Sequence, residues 1–410
     1  MTEREVVVTG IGAITPLGIG IDEFWTGLTK GRSGIGPLTR YDRGESPIGL
    51  AGQVDGFVAG DYMAANVERK LARFSQLGLA AGKLAVGHAN LSPDEIDSER
   101  SGAVVGTCYA GLGELEGISL RYAERGWRGV DATVGPIMMA NAAASMISIS
   151  LGFAGPVECV TTACATGAQA ISRATDLIRH GQADLVLAGG CDAPITPVAV
   201  NSFAGARALA TDNDNPAGAS RPFDARRQGF VVSEGAVVLV LEAADVARAR
   251  GARPLATVLG WGHSADAFNL ATPRPDGTGA AMAMTAALQM AGCSPSDVGY
   301  VHAHATATQL GDSAESKALH QVFAGQPPPV SATKSMTGHM MGAAGSAGAA
   351  AAILALAKGV LPPTINYAEP DPECDLDVVP NQSRAATPEI VLCNAFALGG
   401  INCSLVFGQP

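Results

Sequence analysis

The stretch Gly155–Gly181, GPVECVTTACATGAQAISRATDLIRHG, decides the fold, because two periodicities meet inside it. Val157 to Val160 are mostly apolar and include valine, a residue that suits a sheet. Ala170, Ile171, Ala174, Leu177 and Ile178 then recur at helical spacing, and Gly181 suits a helix stop. The spacing predicts a strand that turns abruptly into a helix, with Cys164 at or next to the helix N-terminus. Unpaired backbone N–H groups and the positive dipole end gather there. Both favour a thiolate, the nucleophilic form of cysteine. The competing reading is a buried structural cysteine, the common fate of a free thiol. On this stretch alone the two readings weigh equally.

The whole chain has 410 residues, too many for one simple core, so two fused halves are expected. At 47% hydrophobic and 16% charged residues it can fill a large interior. The 27 Lys and Arg against 38 Asp and Glu leave a net charge of −11, which argues against broad nucleic-acid or anionic-membrane binding. Eight cysteines are scattered without CxxC spacing, and the MTEREVVVTG start has no basic segment followed by an apolar run. A reduced, cytoplasmic protein is expected. Ala343–Ala357, AAGSAGAAAAILALA, is too short and too rich in Ala and Gly to span a bilayer and reads as a buried helix.

Glu5–Gly18, EVVVTGIGAITPLG, reads as a buried strand followed by a Gly-rich turn. It lacks the third glycine of a dinucleotide fingerprint, so a tight strand-to-loop turn is the better reading. Helical patterning follows over 23–30 and 67–90, the second run starting with Arg69, Lys70 and Arg73. Residues 133–153 are apolar and read as core, an oligomer contact or a pocket lining. Strands are expected at 101–107, 184–190 and in two runs over 229–242, with a long polar loop before them at 211–220. A short charged helix at 243–251 ends the first half. The halves are therefore placed at 1–252 and 253–410. The second half restarts with a strand at 254–262, a helix at 279–292 and a strand at 298–303. Both halves alternate strands and helices, the pattern of an α/β fold.

Three polar sites interrupt these apolar strand ends. They are Cys164; His302 and His304 in VHAHATATQLGD (301–312); and Lys334 and His339 in KSMTGHMMGAAG (334–345). Residues two apart on a strand share a face, so spacing alone cannot choose between His302 and His304. Metal-ligand spacing is unconvincing, H-A-H at 302–304 being the nearest, and no GxSxG elbow is present. Cysteine acyl transfer fits better: a thiolate attacks a thioester while imidazole and backbone N–H groups stabilise the negative charge.

The motifs VVVTGIGAITPLG, TTACATGAQAI, RALATDNDNPAGASRPFD, VHAHATATQLGD, VSATKSMTGHMMGAAG and NAFALGGIN, in this order and across essentially the whole chain, resemble those of β-ketoacyl-acyl carrier protein synthases of the elongating, synthase II-like type. The resemblance implies a thiolase fold, a five-layered αβαβα arrangement of two similar halves, and a dimer with a copy of itself or with a related chain-length-factor subunit. It implies Cys164 as the acyl-carrying nucleophile, His304 and His339 as stabilisers of a malonyl-derived enolate, and Lys334 as the residue that orients and tunes them. The amides of Cys164 and Leu398 would form the oxyanion hole, with Phe396 and Gly399 in the gating loop. Thr306, Thr308 and Thr272 would meet the pantetheine arm or malonyl group, and Tyr109 the acyl chain. Arg69, Lys70 and Arg207 would dock the acidic acyl carrier protein. No cofactor or metal is implied. Where the family usually has NAHGT and GFGG, this chain has His302–Thr306 as HAHAT and Ala397–Gly400 as ALGG. Leu398 thus replaces a gating phenylalanine and Tyr109 a smaller aliphatic. These departures favour a ketosynthase of a type II polyketide system over a housekeeping fatty-acid synthase II. A thiolase would need a second Cys in a C-x-G loop, which neither Cys393 nor Cys403 supplies, and a chain-length factor would lack the nucleophile.

Overall fold

The computed structural model describes residues 4–92, 94 and 96–410; Met1–Glu3, the head of the stretch read for a targeting segment, lie outside the described residues. The first half contributes β1 (Val6–Thr15), β2 (Ser101–Gly106), β3 (Val157–Glu158), β4 (Leu185–Asp192) and β5 (Gly235–Ala243). The second contributes β6 (Ala256–Ala265), β7 (Val298–His302), β8 (Val330–Ser331), β9 (Ile390–Ala397) and β10 (Ile401–Gly408). In space the order is β1-β5-β4-β2-β3 and β6-β10-β9-β7-β8, the same winding twice. In each half the outer three strands pair in parallel and the inner three antiparallel. The two sets join edge to edge through Val7–Thr257 and Val8–Ala256.

Layering follows from period two. Val237, Leu239 and Leu241 of β5 enter a central core, while Ala236, Val238 and Val240 face an outer one. Both faces of the strand are apolar because both are covered. Helices α1 (Arg73–His88) and α2 (Ala142–Leu151) cover the outer face of the first half, and α4 (Thr278–Ala291) and α5 (Gln309–Val322) that of the second. Between the sheets lie α3 (Thr166–Arg179) and α6 (Ala344–Lys358), in equivalent positions of the two halves. The result is the five-layered αβαβα thiolase fold. Every residue of α6 from Ala344 to Leu356 is buried, so the Ala-rich run is an internal helix.

Glycine lets the two central helices meet near their N-termini. A Cβ on Gly167 would lie 2.6 Å from the Ser346 amide N, and one on Gly345 2.6 Å from that of Ala168. The segments preceding both helices are thereby brought together, and these carry Cys164 and His339. The Gly10–Gly12 stretch has the same purpose and is not a turn: β1 runs unbroken to Thr15. A Cβ on Gly12 would sit 1.9 Å from the Ala81 carbonyl oxygen of α1. Two further expectations change. The 67–90 helix is broken, with Ala65–Glu68 ending before Arg69 and α1 starting at Arg73. Of the two runs over 229–242 only β5 is a strand, and Pro197–Gly205, passed over in the sequence, is a helix capped by the Thr196 hydroxyl.

Candidate active site

Edge strand β3 is two residues long, shorter than expected, and the chain then runs irregularly into a tight turn. Ala163 takes a left-handed φ of 48°, unusual for a residue with a Cβ, and Cys164 follows it directly. The Thr162 amide donates to the Thr166 hydroxyl at 2.9 Å, closing the turn onto α3. The backbone N–H groups of Cys164 itself and of Leu398 point at the thiol. The sulfur lies 3.1 Å from His339 Nε2.

His339 is held by its own backbone: its N–H donates to the Val231 carbonyl at 2.8 Å, and its carbonyl accepts from Ser233 at 3.0 Å. His304 follows the end of β7. Its N–H donates to Glu315 Oε1 at 2.9 Å and that of Ala305 to Glu315 Oε2 at 2.7 Å. Lys334 Nζ donates to the His304 carbonyl and lies 3.5 Å from His304 Nδ1. The two imidazoles meet edge to face with centroids 5.6 Å apart. His302, the alternative to His304, is turned away: Nε2 meets the Thr333 hydroxyl at 2.9 Å and the ring packs against Gly348 of α6. H-A-H therefore does not present two imidazoles to one point.

Electrostatics revise the expectation of a resting thiolate. Burial pushes the Cys164 thiol up to about 11, although the Lys334 charge and the Leu398 and Cys164 N–H groups pull the other way. The helix end alone does not offset desolvation. Burial, aided by the Lys334 charge, also drives His304 and His339 well below the ordinary histidine range, so both are neutral. Lys334 is lowered by burial, while Glu315 holds it up.

A cavity of about 640 Å³ connects these groups to solvent. Cys164, His304, His339, Phe396, Leu398, Gly399, Thr306, Thr308, Thr272, Tyr109 and Arg207 all line it. Lys334 stands behind His304 and reaches it from the protein side. Arg69 and Lys70 are exposed and are not among the cavity's lining residues, whereas Arg207 is exposed at its wall. Arg73 leaves the expected basic cluster altogether, its guanidinium meeting buried Glu234 at 2.7 Å. The Leu398 loop is a turn between β9 and β10, with Gly399 and Gly400 at φ 87° and 71°. The Gly399 N–H donates to the Leu270 carbonyl at 2.8 Å.

Two carboxylates were not singled out in the sequence. Glu315 anchors the His304 backbone. Asp192 accepts from the amides of Cys108 at 2.8 Å, Tyr109 at 3.0 Å and Gly342 at 2.7 Å, tying the loop at Tyr109 to the segment after His339. The available signal was an acid ending an apolar strand (Asp192) and a pair of acids one turn apart on one helix, Asp312 and Glu315.

The N-terminal domain model of the beta-ketoacyl synthase family matches residues 3–247 and its C-terminal domain model residues 255–368. A 3-oxoacyl-[acyl-carrier-protein] synthase 2 of Synechocystis sp. is 40% identical over 409 residues, covering 99% of this chain and 98% of that protein. One from Vibrio harveyi is 40% identical over 410 residues, covering 99% of each. Among solved structures, the ishigamide ketosynthase/chain length factor superposes with a TM-score of 0.93 at 36% identity, covering 100% of both chains. A type II PKS ketosynthase in complex with its acyl-carrier protein (AntDE:AntF) gives 0.93 at 32% identity, again over 100% of both.

Proposed function

Because the chain belongs to the β-ketoacyl synthase family of acyltransferases, we propose that it condenses malonyl-acyl carrier protein, with loss of CO₂, onto an acyl chain held at Cys164. The convergence of Cys164 with His339, and of Lys334 with His304, carries this reading. In the first half-reaction the sulfur attacks the acyl thioester, its proton goes to the departing carrier sulfur as the bond to the carrier breaks, and the His339 Nε2–H faces the reacting sulfur. The N–H groups of Cys164 and Leu398 receive the negative charge on the carbonyl oxygen. In the second, His304 and His339 donate to the malonyl thioester carbonyl. The C–C bond to the carboxylate breaks, CO₂ leaves, and its electron pair becomes an enolate. The enolate carbon attacks the acyl-Cys164 carbonyl, the C–S bond breaks with its electron pair left on sulfur, and a proton taken up from solvent re-forms the thiol.

Lys334 fits the role of tautomer-setter. An ammonium only donates, so its approach to Nδ1 makes that atom an acceptor and leaves the proton on His304 Nε2. Thr306, Thr308 and Thr272 suit contact with the pantetheine arm, and Arg207, with Arg69 and Lys70, suits carrier-protein docking. Leu120, Tyr122, Trp127, Met139 and Ile149 are exposed apolar side chains, and β3 is a short edge strand of the sheet, which together support a dimer with a copy or a related subunit. All eight cysteines are free, which supports a reduced, cytoplasmic setting.

The finer reading is a ketosynthase of a type II polyketide system, favoured by Leu398, Ala397 and Tyr109. The identity to synthase 2 enzymes favours the second reading, fatty-acid elongation. The test is direct. Acyl carrier protein donors leave a mass adduct on Cys164 that Cys164→Ala lacks, and His304→Ala or His339→Ala stops CO₂ release from malonyl carrier protein. Retention of the adduct in Cys164→Ala, or unchanged CO₂ release in both histidine variants, overturns the mechanism.

A further inference from the structure

Six rings run in contact along one wall of the cavity. Phe396 meets His304 (centroids 5.9 Å apart), His304 meets His339 (5.6 Å), His339 meets Phe230 (5.4 Å), Phe230 meets Phe203 (5.1 Å), and Phe203 meets Tyr109 (6.2 Å, interplanar angle 78°). Tyr109 ends the line on the side away from the Phe396 loop. It shares the cavity with Cys164, and its hydroxyl has no hydrogen-bond partner among the described residues.

Its placement is not loose. Asp192 accepts the amides of Cys108 and Tyr109, and the Thr107 hydroxyl donates to the same carboxylate at 2.6 Å. Asp192 also takes the Gly342 amide, so the phenol is registered against the histidine side of the site. A phenylalanine would make the same edge-to-face contact with Phe203 and leave no polar atom in an apolar wall. The hydroxyl instead gives that wall a donor open to the cavity and available to a group that enters it. Burial keeps the phenol protonated and therefore a donor.

We propose that the Tyr109 hydroxyl donates to an oxygen on the acyl chain held at Cys164, so that the cavity selects chains carrying an in-chain keto or hydroxyl group over fully reduced chains of the same length. This rests on the condensing reading above and names its substrate class. The acyl chain enters the apolar wall formed by Phe230 and Phe203, and its oxygen meets the one phenol on that line of rings. Such selectivity is the kind a hydrogen-bonding site gives best, because a chain without the oxygen leaves the donor unpaired.

The experiment compares octanoyl, 5-oxo-octanoyl and 7-oxo-octanoyl carrier protein as donors, following acyl-Cys164 formation by mass spectrometry. At least one oxo chain should acylate with a higher kcat/KM than octanoyl. Tyr109→Phe should lower that oxo-to-octanoyl ratio by about fivefold or more, the size expected for one buried hydrogen bond. An unchanged ratio in Tyr109→Phe, or no preference for either oxo chain in the natural protein, overturns the proposal while the condensing reading stands. Failure of all three donors to acylate Cys164 overturns both.

Discussion

Alkylation of Cys164 as a function of pH tests the electrostatic account most directly. The thiol is pushed up to about 11, against an ordinary value near 9, by burial. At pH 7.5 the thiolate fraction is then ~100-fold below that of an ordinary cysteine, equivalent to ~2.7 kcal/mol. The pseudo-first-order rate with iodoacetamide should climb about tenfold per pH unit from pH 7 to 10, with no plateau in that interval. Lys334→Met removes the largest influence holding the thiol down, so at every pH in this range the variant should react more slowly. Peptide mapping is needed to separate Cys164 from the other seven of the eight cysteines, and a thermal melt confirms that the variant is folded. A plateau below pH 9, or faster alkylation of Lys334→Met than of the natural protein, refutes the reasoning. It would mean that the helix end and the histidines outweigh desolvation.

Two predictions concern the scaffold. Gly12→Ala places a Cβ 1.9 Å from the Ala81 carbonyl oxygen, and the overpacking should cost at least ~1–3 kcal/mol in denaturant melts; Gly60→Ala, with nothing within 4 Å, is the neutral control. Glu234 is buried between Arg40 and Arg73, so Glu234→Ala should cost ~3–5 kcal/mol by stranding two guanidinium groups. Burial opposes ionisation of Glu234, but Arg73 and Arg40 hold its carboxyl below the ordinary value. Its stabilisation is therefore present above the unfolded-state value near 4.5 and lost as pH falls through the lower folded one. Stability of the natural protein should accordingly fall on acidification below about pH 4.5, and the part of that fall due to Glu234 should vanish in the variant.

The motifs made the family legible and marked the groups proposed to react, because a thiol, imidazoles and an ammonium stand together at strand ends of one chain. What stayed hidden depended on contact. His302 and His304 differ by where β7 stops, and no pattern of side chains two apart can say that His302 is its last residue. Gly10 and Gly12 looked like a turn because glycine suits turns; here the missing Cβ admits helix α1, a partner more than sixty residues away. Asp192 acts on backbone N–H groups of distant segments and Glu315 on those of His304 and Ala305 in the turn after β7, contacts that leave no trace in composition. The helix at Pro197–Gly205 carried a readable signal, Thr196 followed by Pro197, a capping residue before a proline at the helix start. The repeat between the halves is invisible as sequence yet plain as strand order, since the winding depends only on where apolar runs and helices fall.

Burying the reacting groups in the middle layer looks at first like a poor choice, since it makes the thiolate scarce. The same burial explains why the arrangement suits this chemistry. In the proposed condensation the charges that matter arise on the substrate: an oxyanion during acyl transfer, then an enolate after CO₂ leaves. Fixed N–H groups at Cys164 and Leu398, neutral imidazoles at 304 and 339, and the Lys334 ammonium act on them through a medium that screens weakly. A neutral histidine pair donates to an enolate without first having to be protonated, and the Lys334 charge favours that neutral state. Burial also limits the thiol's reaction with stray electrophiles until a thioester is delivered. On this account Lys334 serves both half-reactions from outside the cavity, as a fixed charge in place of a proton donor. Burial works against that charge, and Glu315, which also grips the His304 backbone, is the largest influence opposing its loss.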